Sequence, residues 1–445
     1  MKRVFIVMLV VVLLAGALSA NMMSYVQAAL KMIGDVNGDG KVNNRDLGSL
    51  QHALNNGDQS ADADVNGDDK VNNRDLGELQ QILNGDEKQP KANTTTTYVS
   101  LGSPAAQYYS KNYLARCAWD MTIFDGKLYV GCGDFTKNPG DAPVLSCPLD
   151  DLGNWTMETT IPDEQVGRFI DINGVLTIPG FDPVGAPLYG SFYELMNGQW
   201  QQREILPFGL HAFDMVWFEG RMYAAVGADR GEYPIAYTED GVNYQTMPMY
   251  KDGQALDTSN SAVIRCSNLY VLGDNLYADF WYEDERVTRS IFEMYRYNKA
   301  MDCFEYVADL KNSTHGGLYS PAYLPLWEKA AVNDKMFLTT GYLFYTTDFE
   351  TYTQVEIPNN AIVYDMVRYS GRLYLLTAYE KDGKQQVTVY STTSANPSNL
   401  RTEASYTYNL APTSFAMDAD NFFIGMGNWY GTGVDGNGTI LQIER

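Results

Sequence analysis

One twelve-residue pattern recurs along most of this chain: WDMTIFDGKLYV (119–130), FDMVWFEGRMYA (213–224) and YDMVRYSGRLYL (364–375). An aromatic residue, Asp and Met lead a strand, two residues ending in Gly turn it, and a second strand returns. Weaker copies are GRFIDINGVLTI (167–178), SNLYVLGDNLYA (267–278), WEKAAVNDKMFL (327–338) and TSFAMDADNFFI (413–424), seven in all at intervals of roughly fifty residues. Short strands separated by turn residues, with almost no helical periodicity, restrict residues 98–445 to an all-β repeat.

A third strand and a turn leading to an aromatic follow each hairpin, as in AYTEDGVNYQTM (236–247) and FYTTDFETYTQV (344–355). Within them, Thr238, Asp240, Gly241 and Tyr244, and then Thr346, Asp348 and Tyr352, resemble the Asp-box hairpin turn of sialidase-like propellers. Tyr stands where that turn usually has Trp, and the second copy lacks its Gly. Seven four-stranded units predict a mainly β chain with a seven-bladed β-propeller. A pair of β-sandwiches, or a ring of six or eight blades, is the rival. The last copy reaches only a third strand, Thr439 to Ile443, so Thr97 to Leu101 is expected to supply its fourth and latch the ring.

The chain has 445 residues, 45% hydrophobic and 13% aromatic, enough for a full core and more than one domain. A net charge of −23 argues against nucleic acid or an anionic membrane surface as partner, because phosphate binding needs clustered cations. Lys2 and Arg3 precede the apolar run Val4 to Leu14, and Val26-Gln27-Ala28 offers a small-x-Ala cleavage site, with Ala20 the alternative. Residues 1–28 therefore read as an export signal, leaving no membrane span after processing; a retained anchor is the competing reading. The five cysteines, Cys117, Cys132, Cys147, Cys266 and Cys303, make no disulfide framework, although one bridge remains open.

Ahead of the repeat, GDVNGDGKVNNRDLG (34–48) returns at 64–77 as DVNGDDKVNNRDLG. Asp35, Asn37, Asp39, Lys41, Asn43 and Asp46 occupy positions 1, 3, 5, 7, 9 and 12 of a loop frame, and Asp64, Asn66, Asp68, Lys70, Asn72 and Asp75 repeat it. Oxygen at alternating positions, then a returning carboxylate, lets one short loop surround a hard cation, with position 7 coordinating through its carbonyl. Two calcium ions are expected. Position 12 is Asp where the general frame has Glu, and Asp69 replaces the turn glycine Gly40, so the second site is expected to bind more weakly or rigidly.

Each loop runs into an amphipathic segment, Leu47 to Leu54 and Leu76 to Leu83, with no entering helix. This duplicated half EF-hand, residues 32–86, closely resembles the type I dockerin family. The resemblance implies a small all-α module that folds on calcium and docks into a cohesin module of a scaffold protein, as in cellulosome-like complexes that degrade plant polysaccharide. It also implies a partner surface at Asn44, Arg45, Gln51, His52 and Asn56 and, in the second repeat, Asn73, Arg74, Gln80, Gln81 and Gly85. Near-identity of the repeats permits docking in two orientations. A loop pair that merely stabilises a small domain is the alternative. Residues 87–97, polar and ending in four threonines, read as a linker.

In a propeller the first strand of each blade lines the channel, so the residue seven before each second strand should form a ring: Asp120, Arg168, Asp214, Asn268, Glu328, Asp365 and Ser414. All seven are polar, although their neighbours are largely aromatic or apolar. They could cap strand ends and solvate the channel mouth. They could instead bind a sugar or cation, with Trp119, Phe213, Trp327 and Tyr364 as stacking faces and Arg168, Asn268 and Ser414 as hydrogen-bonding groups. The third reading is catalysis by a carboxylate pair drawn from Asp120, Asp214, Glu328 and Asp365, as a glycoside hydrolase or polysaccharide lyase. Of the three histidines, His211 reads as a hydrogen-bonded turn residue rather than a base, and no clear sialidase arginine triad can be assigned. The whole reads as an exported scaffold-attached component whose propeller acts on or binds plant polysaccharide; the alternative is a non-catalytic binding or protein-interaction propeller.

Overall fold

The computed structural model describes residues 36–37, 43–57, 63, 65, 71–84, 96–137, 140–183, 190–206, 211–228, 231–259, 261–284, 289–310, 328–339, 341–428 and 434–445. It divides into two compact units, Met1–Glu87 and Lys88–Arg445. The export segment 1–28 lies outside the described residues, as does most of the linker.

In the first unit, helix α1 (Asn44–Asn56) begins at Asn43, whose side chain accepts from the Arg45 amide at 3.0 Å, while Asp46 reaches back to the Asn43 amide at 2.8 Å. This reciprocal cap satisfies two amides that the helix cannot. Gly57 ends α1 in a left-handed conformation at φ 66°. Helix α2 (Asn73–Asn84) repeats the entry, the Asp75 carboxylate taking the Asn72 amide at 2.7 Å. Leucines at helical spacing then meet: Leu50, Ala53 and Leu79 form a core with Ala63, Val65 and Val71.

The second unit is mainly β and propeller-like. Among the described residues, five blades stand as separate four-stranded antiparallel sheets, the first being Asp120–Phe124, Lys127–Gly131, Ala142–Pro148 and Thr156–Ile161. The others open with Ile170–Ile172, Lys329–Val332, Ile362–Tyr369 and Ala411–Met417. The hairpin turns Asp125-Gly126, Glu219-Gly220 and Ser370-Gly371 hold both residues at positive φ, the hand that matches the twist of paired strands. Side chains between sheets make the core, as where Leu376, Val387 and Val389 meet Phe415, Phe422 and Ile424. Full burial of each such side chain is worth about 1.5–3 kcal/mol.

Seven separate sheets were the expectation; the remaining strands instead join in one eleven-stranded sheet. It contains two four-strand runs, opening with Ala212–Phe218 and Leu269–Leu272. The strand Ser261–Arg265 pairs on one side with Gly227 and Ala228 and on the other with Trp281 and Tyr282, bridging the runs. A further strand, Met249–Lys251, lies parallel to Cys303–Asp309 at the outer edge of the second run. With Gln254–Ala255, which pairs with Met249–Lys251, three strands are added, all in the connection after the third hairpin, where the repeat pattern gave no strand.

The expected latch is present. Val99 pairs with Gln442 and Ser100 with Leu441, so Val99–Ser100 is the outer strand of the last sheet. The Leu101 amide donates to the Ile440 carbonyl at 2.8 Å, and the Thr96 amide reaches Ser405 of the preceding sheet. First strands of neighbouring sheets touch around the body, including the closing contact between Asp120–Phe124 and Ala411–Met417. In the Asp-box-like turns, Asp240 accepts the Val242 and Asn243 amides and Asp348 those of Glu350 and Thr351. Phe349 adopts φ 60° where the first turn has Gly241, its ring fully buried against Tyr277. All five cysteines are buried and free, so none forms the bridge left open above.

Candidate functional site

The seven ring positions occupy one register. Asp120 pairs with Gly131, Asp214 with Ala225, Asp365 with Leu376 and Ser414 with Gly425, each eleven residues on. Asn268 accepts the Asp279 amide and Glu328 the Thr339 amide at the same spacing. Arg168 falls in line through the pair Ile170 and Thr177. In three hairpins the residue before the ring position, Phe213, Tyr364 or Thr413, is bulged out of the pairing, which turns the next side chain toward the neighbouring sheet.

Three ring aspartates do the same thing. Asp120 accepts the Phe169 amide at 2.6 Å, Asp214 the Leu269 amide at 2.8 Å and Asp365 the Phe415 amide at 2.5 Å. Each acceptor is a carboxylate on one first strand, and each donor follows the ring position of the next. Asp120 and Asp365 also take the amide after themselves, Met121 and Met366. The ring is therefore stapled by its own side chains, because innermost strands have amides that no strand partner reaches.

Charge is distributed unevenly around it. Arg168 meets Asp214 at 3.3 Å and donates to Asn268 at 3.3 Å. Burial works against the guanidinium charge, but Asp214, Glu328 and Asp120 outweigh it and hold its pKa up. Lys329 ion-pairs with Asp214 and donates to the Leu269 carbonyl. Burial lowers its pKa, Asp214 opposing and Arg168 reinforcing. Asp214, Asn268, Asp365 and Ser414 are buried, whereas Asp120, Arg168 and Glu328 keep some exposure. Burial and the Glu328 charge push the Asp120 carboxyl up to about 7, and burial raises Glu328 as well. Asp365 is raised well above the usual range by burial and then by Glu328 and Asp120.

The aromatic positions are less accessible than a sugar platform needs. Trp119 is 5% exposed, its indole donating to the Gly133 carbonyl and its ring edge-on to Phe135. Phe213 is 4% exposed, stacked on His211 at 4.9 Å and edge-on to Phe181. Tyr364 is half-buried against the core of the last two sheets, and Trp327 lies outside the described residues. His211 sits as expected of a turn residue: its Nδ1–H donates to the Phe181 carbonyl, and burial followed by Arg265 lowers its pKa to about 4.

Lys329 escaped the sequence reading because it follows a ring position. The signal was there: Met121, Phe169, Met215, Leu269, Met366 and Phe415 make the equivalent position apolar in the other six copies.

In the paired loops, Asn37, Asn43, Asp46, Asn72 and Asp75 are described. Asp46 and Asp75 are fully buried, and Asp46 also accepts the Asn37 amide at 3.1 Å. Asp35, Asp39, Lys41, Asp64, Asn66, Asp68 and Lys70 lie outside the described residues. On the helices, Asn44, Arg45, Gln51, His52 and Asn56 are exposed, as are Asn73 and Gln80. Of Arg74 and Gln81 only the backbone is described, and Gly85 lies outside.

Residues 33–84 match the family model described as dockerin type I domain. No curated protein matches the chain. Among solved structures it is similar to a PL25 polysaccharide lyase, an ulvan lyase bound to -[GlcA(1-4)Rha3S]-, with TM-score 0.42 and 12% identity over 80% of this chain and 96% of that one. The β-propeller domain of the Trilobed protease from Pyrococcus furiosus matches with TM-score 0.40 and 8% identity over 73% and 93%. The α-L-arabinofuranosidase Arb93A from Fusarium graminearum matches with TM-score 0.40 and 13% identity over 69% and 100%.

Proposed function

We propose that this chain is an exported component of a cellulosome-like complex. Its N-terminal module binds two calcium ions and docks into a cohesin, and its propeller-like body acts on or binds a plant-derived polysaccharide at the channel mouth. The observation that carries the docking half is the duplicated ligand frame inside the dockerin type I match at 33–84. Asp46 and Asp75, at position 12 of each frame, sit buried at the helix entries, where a returning carboxylate is needed. Asn44, Arg45, Gln51, His52 and Asn56 offer an exposed partner surface on α1.

Seven blades are the reading we favour for the body. Seven hairpins share one register, and the two runs of the eleven-stranded sheet are separate hairpin pairs apart from the added strands. For the carbohydrate, Asp120 and Glu328 are the ring carboxylates that a ligand can reach, with Arg168 between them in charge. Asp214, Asp365 and Asn268 serve the ring's own cohesion, and the catalytic role considered for Asp214 and Asp365 gives way to it.

The test uses the full chain on insoluble and soluble plant polysaccharides, reading retention and released reducing ends. Retention that D120N and E328Q weaken supports the reading. Neither retention nor release on any polysaccharide sinks the carbohydrate half, and cohesin capture that persists in chelator sinks the docking half.

A further inference from the structure

Directly before three successive ring positions stand Glu164, His211 and Arg265, four residues ahead of Arg168 and three ahead of Asp214 and Asn268. They form a second polar tier at the ring end of the strands. Asp182, from the connection after Val175–Pro179, joins them: its carbonyl accepts the Glu164 amide at 3.0 Å, and its carboxylate lies 4.0 Å from His211 Nδ1. The His211 Nδ1–H is committed to Phe181, so Nε2 carries the lone pair and faces the Arg265 guanidinium at 3.4 Å. Arg265 is held over the rings of Phe213 and Trp281.

Two groups in this tier are buried, and one of them has no hydrogen-bond partner for its side chain. Glu164 is 5% exposed, and its charged neighbours are Asp182, Asp163 and Asp134. Gln165 is 1% exposed with neither amide oxygen nor amide nitrogen hydrogen-bonded. Its amide nitrogen lies against Gly167 beside the Phe181 ring, on the side where Phe181 and Asp182 meet His211. A buried amide with both ends open costs stability that a bound hydroxyl would recover.

We propose that Glu164 and Asp182 are an acid–base pair that hydrolyses the glycosidic bonds of an uncharged polysaccharide, with Gln165 taking a sugar hydroxyl. The inference rests on the carbohydrate reading above and places its chemistry in the upper tier, leaving the ring as floor. Glu164 gives its proton to the glycosidic oxygen as the C1–O bond breaks and the electron pair stays on that oxygen. Asp182 takes a proton from water, whose oxygen bonds to C1. Chain and water are consumed, two shorter chains form, and no redox partner is required.

The two carboxyls are set apart by their surroundings. Burial first, and then Asp182, Asp163 and Asp134, push Glu164 up to about 8, keeping it protonated at neutral pH. Burial also raises Asp182, but the Arg265 charge opposes this and favours its ionised form. Asp163, up to about 6 through burial, is engaged by the Tyr193 hydroxyl and by the Asp182 and Phe181 backbone, which oppose that rise, and His211 stays neutral. Carboxyls pushed apart in this way are how acid and base are told apart. An acidic sugar is disfavoured, since four carboxyls and one guanidinium surround the site.

The experiment incubates the full chain with arabinan, galactan, xylan, mannan and xyloglucan and measures retention and reducing ends across pH. We expect release whose rate falls as pH rises past about 8, and loss of about 10²–10⁴-fold in E164Q and in D182N with retention within about twofold of wild type. The alkaline limb needs no variant and should vanish from the residual activity of E164Q. Retention without release, or release at wild-type rate from either variant, overturns the inference while the binding reading stands. Absence of retention removes both.

Discussion

Asp214 is 1% exposed and binds cations from two other first strands while accepting an amide from a third. Asp214→Ala would take from the half-buried Arg168 and Lys329 their nearest counter-charge, a loss of up to about 3–5 kcal/mol. Asp214→Asn keeps the shape and one acceptor and should cost less. Urea unfolding of the full chain measures both; a wild-type midpoint for the alanine variant would remove the staple role. Asp120 gives a pH signature. Its folded pKa of about 7 is above the ordinary carboxylate value, so between roughly pH 4 and 7 the folded state holds a proton that the unfolded chain has lost. That contribution to stability is present at low pH and disappears as pH rises through 7. The wild type should therefore lose more stability over this interval than D120N does, measured as Tm at each pH, and parallel curves would contradict the assignment. The polarity of the ring was legible in the sequence because hairpin spacing is constant. Its direction of bonding was not, because the donors are backbone amides of the next sheet.

In helix α1 one side chain serves both the cap and the proposed metal loop. Asp46 is position 12 of the loop frame and also the residue that closes the cap on Asn43. Asp46→Ala should abolish calcium-induced helicity in this unit, whereas Asp64→Ala, in the loop bearing Asp69, should hurt less than Asp35→Ala. Circular dichroism with calcium titration distinguishes them, and equal affinities for the two loops would end the argument from Gly40 and Asp69. At the other unit's edge, the strand Val99–Ser100 completes the last sheet and Leu101 continues it with the bond to Ile440. Leu101→Pro removes that donor and should lower Tm and promote association through the freed edge. Unchanged melting and a monomeric profile in light scattering would show the latch to be dispensable. The latch was legible because the last repeat lacked a strand and an unassigned strand-like segment preceded the first. The strand Ser261–Arg265 was not, because a five-residue apolar-polar run in a connection looks like many loops until two sheets offer it edges.

For the whole molecule, calcium removal should separate the two units' behaviour: helical signal and cohesin capture are lost while the β signal of residues 88–445 stays. Loss of both signals together would mean that the body depends on the module. The sequence alone determined the class of each unit, since a period-two pattern broken by left-handed turns suits only paired strands, and oxygen at alternating loop positions suits only a hard cation. It determined as well that seven equivalent residues share a register. Tertiary structure decided what those residues do. Only closure of the strands around a common channel brings Asp214 against Arg168 and Lys329, and only burial between connections raises Glu164 beside Asp182. Spacing along a chain fixes which side chains face one way, but charge, desolvation and the partners of a backbone amide depend on neighbours distant in sequence.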